Sequence, residues 1–132
     1  MKKRVIFFIL LTICFPMLAQ VQIIAHRGAS YLAPENTVAS AKLAWELGTD
    51  AVEVDIFLSK DNRIIGIHDP TARRTSGHDY VIMDTHSDVL RTLEVGSFKD
   101  EKYRGEKIPF LEEIIQTIPH GKELVVEVKL GE

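Results

Sequence analysis

The chain has 132 residues, of which 27% are charged, and a formal net charge of −3. This length accommodates one compact unit or part of one. Because no cluster of Lys and Arg suggests a basic binding face, we predict no nucleic-acid partner. The single cysteine, Cys14, lies near the N terminus, so we expect no disulfide in the folded part.

Residues 1–20 have the pattern of an export signal. Basic residues at positions 2–4 precede an apolar run at 5–15, and Ala19 is a small residue suited to cleavage. The run is shorter than the about 20 apolar residues that span a membrane. We therefore predict a signal peptide over 1–20, an exported protein that is periplasmic or secreted, and no stable membrane span after signal removal. An uncleaved N-terminal anchor is the alternative.

The following residues alternate between strand and helix patterns. A helix is predicted from Thr37 to Leu47, because Asn36 is a suitable N-cap and Gly48 a suitable left-handed end. Its predicted buried face includes Val38, Ala41, Leu43, Ala44, Trp45 and Leu47. A second helix is predicted to begin at Pro109 and to bury Leu111, Ile114, Ile115 and Ile118. The predicted strands are 21–25, 51–58, 64–67 and 124–130, and residues 70–107 are predicted to form a loop or small insertion.

This alternation of apolar strands and helices is typical of an α/β fold with a mainly parallel sheet. Polar side chains follow or end several predicted strands, which is where a (β/α)8 barrel or an open α/β sheet places its site. A barrel typically needs about 250 residues. We therefore predict that residues 21–132 are the N-terminal half of a (β/α)8 TIM barrel in a truncated chain. Such a half is expected to expose apolar strand edges and to be inactive alone.

Two carboxylates interrupt the most apolar strand. Alternation along residues 51–58 places Glu53 and Asp55 on one face and the branched aliphatic side chains on the other. Adjacent buried carboxylates repel one another, so a positive partner is required, and we predict a divalent cation. Glu127 in the last strand is a third candidate ligand, although the pattern fits an outward residue of an edge strand equally well. Oxygen ligands favour Mg²⁺ or Ca²⁺ over zinc.

Other candidate site residues follow the strands. His26 and His68 are a predicted acid/base pair, because imidazole titrates near neutral pH. Arg27 could bind phosphate in a bidentate manner or form a salt bridge to a nearby carboxylate. Lys129 shares the face of Glu127, with which a simple ion pair is possible. Residues 73–77 are predicted to be a solvated loop with no catalytic role.

Several spaced motifs together resemble the glycerophosphodiester phosphodiesterase family of the phospholipase-C-like phosphodiesterase barrels. They are His26-Arg27-Gly28, Pro34-Glu35-Asn36-Thr37, Glu53-x-Asp55 and His68-Asp69, followed by Gly96-Ser97-Phe98, residues 105–113 and Val126-Glu127-Val128-Lys129. The resemblance covers about Ile23 to Lys129. It implies metal-dependent hydrolysis of a small-molecule glycerophosphodiester to glycerol 3-phosphate and an alcohol such as choline or ethanolamine.

The resemblance also implies roles for individual residues. Glu53, Asp55 and Glu127 would hold the divalent cation, and His26 and His68 would transfer protons. Lys129 would stabilise phosphate charge beside Arg27, while Glu35 and Asn36 would support the site, Glu35 as a metal-shell or positioning group. Two alternatives stay open: another phosphodiesterase of the same superfamily that acts on phospholipids, and an inactive fragment that binds a cation.

Overall fold

The computed structural model describes residues 21–129. The predicted signal peptide, with Cys14, and the last three positions lie outside this range. None of the helices within it has the length and hydropathy of a membrane-spanning segment.

Eight helices and strands and two short 3-10 turns make up the described chain. In chain order they are β1 (Ile24–Ala25), α1 (Val38–Glu46), β2 (Ala51–Leu58), β3 (Ile64–Gly66), α2 (Arg73–Ser76), a 3-10 turn (Ile82–Asp84), α3 (Ser87–Leu90), a 3-10 turn (Glu101–Tyr103), α4 (Leu111–Ile115) and β4 (Glu123–Val128).

Strand β2 is the centre of the sheet. It pairs in parallel with β1 through Ala51 and Val52, and in parallel with β4 from Ala51 to Ile56. The prediction of parallel strands is therefore correct for β1, β2 and β4. The exception is β3, which pairs with β2 in the antiparallel direction, so the sheet is mainly parallel, as predicted. Only residues 59–63 connect β2 to β3, and a parallel crossover needs a dozen or more residues.

The antiparallel direction of β3 determines where the following residues lie. Leu58 faces Ile64 and Ile56 faces Gly66, so β3 runs back along β2. The Ile67 N–H then donates to the Asp55 carbonyl at 3.1 Å. This bond places His68, the next residue, beside the part of β2 that carries Glu53 and Asp55.

The two faces of β2 differ in their side chains. Val52, Val54 and Ile56 pack against the small residues Ala41 and Ala44 of α1, together with Ile114 of α4. The other face carries Glu53 and Asp55. Helix α1 ends before Leu47, whose side chain is 59% exposed, so the predicted burial of Leu47 is wrong.

Both predicted helix starts differ from those observed. Thr37, not Asn36, is the N-cap of α1: its Oγ1 accepts from the Ser40 N–H, and the Ser40 Oγ accepts from the Thr37 N–H, each at 3.2 Å. Helix α4 begins at Leu111 rather than Pro109. The Pro109 carbonyl instead accepts a hydrogen bond from the β3 backbone.

Residues 70–107 form a folded insertion with its own apolar cluster. Its buried members pack on Phe57 of β2 and on Ile65 and Ile67, and they include Ala72, Ile82, Leu90, Leu93 and Val95. Asp61 in the β2–β3 turn fixes this insertion to the sheet. Its carboxylate accepts hydrogen bonds from the Ser87 N–H at 2.8 Å and the Ser87 hydroxyl at 2.7 Å.

Gly28, after β1, is expected to be intolerant of a side chain. Its φ is +74°, and a Cβ there would lie 2.4 Å from Ser40 Oγ and 2.7 Å from a Ser40 backbone carbon. We expect Gly28→Ala to lower the free energy of unfolding by about 2–5 kcal/mol, since left-handed alanine costs about 1–2 and overpacking about 1–3 kcal/mol.

The matched control is Gly48→Ala. Gly48 has a φ of +83°, but a Cβ there would have no heavy atom of the described chain within 4 Å. Gly48→Ala should lower the free energy of unfolding only by the cost of the left-handed backbone, about 1–2 kcal/mol. Urea denaturation of the complete gene product measures both, and equal losses would contradict the close packing of Gly28 on Ser40.

Candidate functional site

Three carboxylates from two strands converge at one end of the sheet. The parallel register of β2 and β4 places Asp55 opposite Glu127, and Glu53 lies two residues before Asp55 on the same face. One oxygen from each of Glu53, Asp55 and Glu127 lies within 4.8 Å of the others. The structure therefore brings together all three predicted metal ligands.

The donor set fits a hard divalent cation. All three groups are carboxylates, the preferred ligands of such ions. Among the described residues no donor reaches the buried Glu53 Oε1, so this oxygen is free to coordinate an ion. Glu127 has a 55% exposed side chain and forms the solvent side of the cluster. We call Glu53, Asp55 and Glu127 the carboxylate centre.

Lys129 provides positive charge at the carboxylate centre. Its Nζ lies 3.1 Å from Asp55 Oδ1 and also pairs with the Glu127 carboxylate. The Glu127 hydrogen bond, together with Asp55, raises the pKa of Lys129 above its usual value despite some desolvation. The ion pair expected as an alternative for Lys129 is thus present, and a phosphate-binding role stays a prediction.

The carboxylate of Asp55 is completely buried and is held by Asn36. The Asn36 amide donates to Asp55 Oδ2 at 3.0 Å and accepts from the Asp55 N–H at 2.9 Å. Burial raises the pKa of Asp55, but the Asn36 hydrogen bond and the Lys129 ammonium outweigh it and keep this pKa below its usual value. Asn36 therefore supports an ionised Asp55 and does not cap α1, which corrects the capping prediction.

Arg27 connects the end of β1 to the carboxylates. Its backbone N–H donates to Glu53 Oε2 at 2.8 Å. The backbone of Arg27 is left-handed, with a φ of +56°. Its side chain lies 3.1 Å from Glu35 Oε1 through Nη1 and 3.1 Å from Asp55 Oδ2 through Nε. The salt-bridge alternative for Arg27 is therefore observed, and phosphate binding stays a prediction.

Glu35 belongs to a neighbouring cluster rather than to the carboxylate centre. It accepts two hydrogen bonds from Arg74, at 2.7 and 2.9 Å, and one from Arg27. The Arg74 bonds are the main reason why the pKa of Glu35 is lowered, although burial opposes them. Of the two roles expected for Glu35, these contacts favour positioning.

Arg74 is the site residue that the sequence did not identify. It lies in α2 rather than in the predicted loop, and its side chain, although 45% exposed, is fully engaged in ion pairs. Its guanidinium binds Asp69 as well as Glu35. Glu35 precedes it by 39 positions, so no local spacing in the sequence could indicate the pair.

The two histidines approach the site differently. His26 follows β1, has a 68% exposed side chain, and places Nε2 4.0 Å from Glu53 Oε2. His68 is half-buried, and its Nδ1 lies 2.7 Å from Asp69 Oδ1. Both therefore lie beside acidic groups at the same end of the sheet. Their roles in proton transfer stay predictions.

The protonation of Asp69 defines the state of the His68 ring. Hydrogen bonds from Arg74 keep the pKa of Asp69 below its usual value despite burial. An ionised carboxylate only accepts hydrogen bonds, so the His68 Nδ1 must carry the proton. The Nε2 atom is consequently the nitrogen that is left for exchange with another group.

A sequence profile of the Glycerophosphoryl diester phosphodiesterase family matches residues 26–132, which include the carboxylate centre and both histidines. The chain belongs to this family. The glycerophosphodiester phosphodiesterase of Caldanaerobacter subterraneus subsp. tengcongensis is 41% identical over 110 residues, which are 83% of this chain and 45% of the relative. The chain thus spans less than half the length of this curated relative.

Solved structures of family members have the same fold. A phosphodiesterase from Oleispira antarctica, in complex with the product sn-glycerol-3-phosphate, is 43% identical with a TM-score of 0.79, over 83% of this chain and 44% of that one. The glycerophosphodiester phosphodiesterase of Agrobacterium tumefaciens is 32% identical with a TM-score of 0.79, over 84% and 48% of the two chains. The α/β fold is therefore the N-terminal half of a (β/α)8 barrel, as predicted.

The contribution of the Asn36–Asp55 contact to the stability of the fold can be measured by substitution. Asn36→Ala removes the donor to Asp55 Oδ2 and the acceptor of the Asp55 N–H, both buried. We expect the lost hydrogen bonds to lower the free energy of unfolding by about 1–3 kcal/mol beyond the cost of placing alanine in the left-handed region. Exposed Asn62 has a φ of +60°, close to the +56° of Asn36, so Asn62→Ala controls for the left-handed backbone. Equal losses in urea denaturation would show that the Asp55 contact contributes nothing.

Proposed function

We propose that the carboxylate centre binds Mg²⁺ or Ca²⁺ and that the protein hydrolyses glycerophosphodiesters to glycerol 3-phosphate and an alcohol. The observation that carries this proposal is the convergence of Glu53, Asp55 and Glu127 within 4.8 Å. The names of the related enzymes, and sn-glycerol-3-phosphate as product in the Oleispira antarctica structure, support this substrate class.

Charge distribution explains how such a site would bind a phosphodiester. When bound, the cation would neutralise the phosphoryl oxygens as negative charge accumulates on them. Arg27 and Lys129 border the carboxylates and would orient the phosphate through their fixed positive groups. Asn36 keeps Asp55 ionised and in place, so that the centre is formed before substrate arrives.

The two histidines would move the protons. In a glycerophosphodiester a glycerol hydroxyl is held close to phosphorus, which favours intramolecular attack. One imidazole would take the proton of that hydroxyl, while the other protonates the oxygen of the departing alcohol. Water would then open the resulting cyclic phosphate and yield glycerol 3-phosphate. The Nε2 of His68 could accept the hydroxyl proton when the ring is neutral, or protonate the departing alcohol when both ring nitrogens carry a proton.

The carboxylate centre can be tested with two glutamates of the same strand. In the complete gene product, we expect Glu127→Gln to lower kcat for glycerophosphocholine by at least ~100-fold, since a lost charge weakens both cation binding and electrostatic stabilisation. Exposed Glu123, at the other end of β4, is the control, and Glu123→Gln should retain activity within about twofold. Calorimetric titration with Mg²⁺ and with Ca²⁺ should show binding to wild type that Glu127→Gln weakens.

Substrate choice distinguishes the proposal from its rivals. Wild type should hydrolyse glycerophosphocholine and leave intact phosphatidylcholine unchanged, and a chelator should abolish turnover reversibly. Preference for the phospholipid would instead assign the site to another phosphodiesterase of the superfamily. Cation binding without any hydrolysis would favour the inactive cation-binding alternative.

We also propose that the protein is exported, because residues 1–20 have the order of a signal peptide. The basic residues 2–4, the apolar run 5–15 and Ala19 support this proposal. Expression of the gene followed by fractionation should recover the protein outside the cytoplasm, with an N terminus close to position 20. Recovery in the cytoplasm with Met1 intact would refute it.

A further inference from the structure

Arg74 uses its whole guanidinium group to join two carboxylates. Its Nη1 and Nη2 bind the two oxygens of Glu35 at 2.9 and 2.7 Å, and its Nε binds Asp69 Oδ2 at 2.7 Å. Nη2 also lies 3.3 Å from Asp69 Oδ1. Such a two-sided fork fixes the plane of both carboxylates, which a single point charge cannot do.

Both carboxylates that Arg74 holds also contact residues of the candidate site. Asp69 Oδ1 accepts from His68 Nδ1 at 2.7 Å, and Glu35 Oε1 accepts from Arg27 Nη1 at 3.1 Å. The Arg27 side chain continues to Asp55. A continuous series of charged contacts thus runs from His68 through Arg74 to the carboxylate centre. Arg74 is the member of this series that the insertion provides.

We propose that Arg74 is a positioning residue for His68. By fixing the Asp69 carboxylate, it keeps the proton of His68 on Nδ1 and reserves Nε2 for proton transfer. Glu35 provides the second attachment that holds Arg74 itself. This inference depends on the proposed hydrolytic function for its effect on turnover, but not for its effect on the His68 ring.

The physical reason lies in the freedom of a short aspartate side chain. Without Arg74, Asp69 would lose its strongest partner and could rotate towards solvent, since its side chain is partly exposed. The neutral His68 ring would then distribute its proton between Nδ1 and Nε2. Lysine at position 74 would keep the charge but could not bind both Asp69 and Glu35 in fork geometry.

Neighbouring arginines provide a matched experiment in the complete gene product. Arg74→Gln is expected to lower kcat for glycerophosphocholine by about 10–100-fold, the range found for outer partners that orient metal-bound histidines, with KM changed by less than about threefold. Arg74→Lys should be intermediate. Arg73→Gln is the control, because Arg73 is 75% exposed and lies 3.8 Å from the exposed Asp79; it should retain wild-type kinetics.

The ring of His68 supplies a readout that does not need turnover. Nitrogen-15 NMR of the imidazole should show the Nδ1–H form for neutral His68 in wild type and Arg73→Gln. A mixture of both tautomers is expected in Arg74→Gln. Thermal unfolding reports whether each variant is folded. If Arg74→Gln does not fold, Arg74→Lys, which keeps the charge, decides by the same two measurements.

Three outcomes would overturn the proposal: wild-type kcat in the folded Arg74 variant, an increase in KM alone, or an unchanged His68 tautomer. An increase in KM alone would place the effect on phosphate binding through Arg27. Absence of hydrolysis by wild type would instead refute the proposed function. In that case the NMR comparison would still decide whether Arg74 positions His68.

Discussion

The burial of one ionised carboxylate determines the arrangement of this end of the molecule. Asp55 is completely buried in the central strand, where an unpaired charge would be strongly destabilising. Asn36, Arg27 and Lys129 compensate it from three different segments: the turn before α1, the end of β1 and the residue after β4. The need to satisfy Asp55 therefore brings together the segments that carry the candidate site.

The direction of β3 gives the site its second histidine. A parallel third strand would have carried His68 away from Asp55 along β2. The short turn after Leu58 instead returns the chain along the same edge of β2, and the Ile67 N–H binds the Asp55 carbonyl. A local constraint on turn length thus has a direct consequence for the proposed chemistry, because the two histidines need to share one site.

The insertion takes part in the site as well as in packing. Its apolar cluster holds it against β2 and β3, and the contact of Asp61 with Ser87 attaches α3 to the β2–β3 turn. Fixed in this way, α2 presents Arg74 to Glu35 and Asp69. The segment with the weakest periodicity in the sequence therefore contributes the most extensively bonded arginine near the proposed catalytic groups.

The sequence by itself determined the fold class, the family and the set of acidic and imidazole side chains, because period-two alternation fixes the faces of β2 and short motifs keep their spacing. It also identified Glu127, whose orientation the pattern left open until the register of β4 on β2 was known. The direction of β3 follows from the short connection of residues 59–63, a local feature of the sequence, whereas only the tertiary structure decided the partner of Asn36 and the position of Arg74. These depend on contacts between residues far apart in the chain, and neither periodicity nor spacing encodes such contacts.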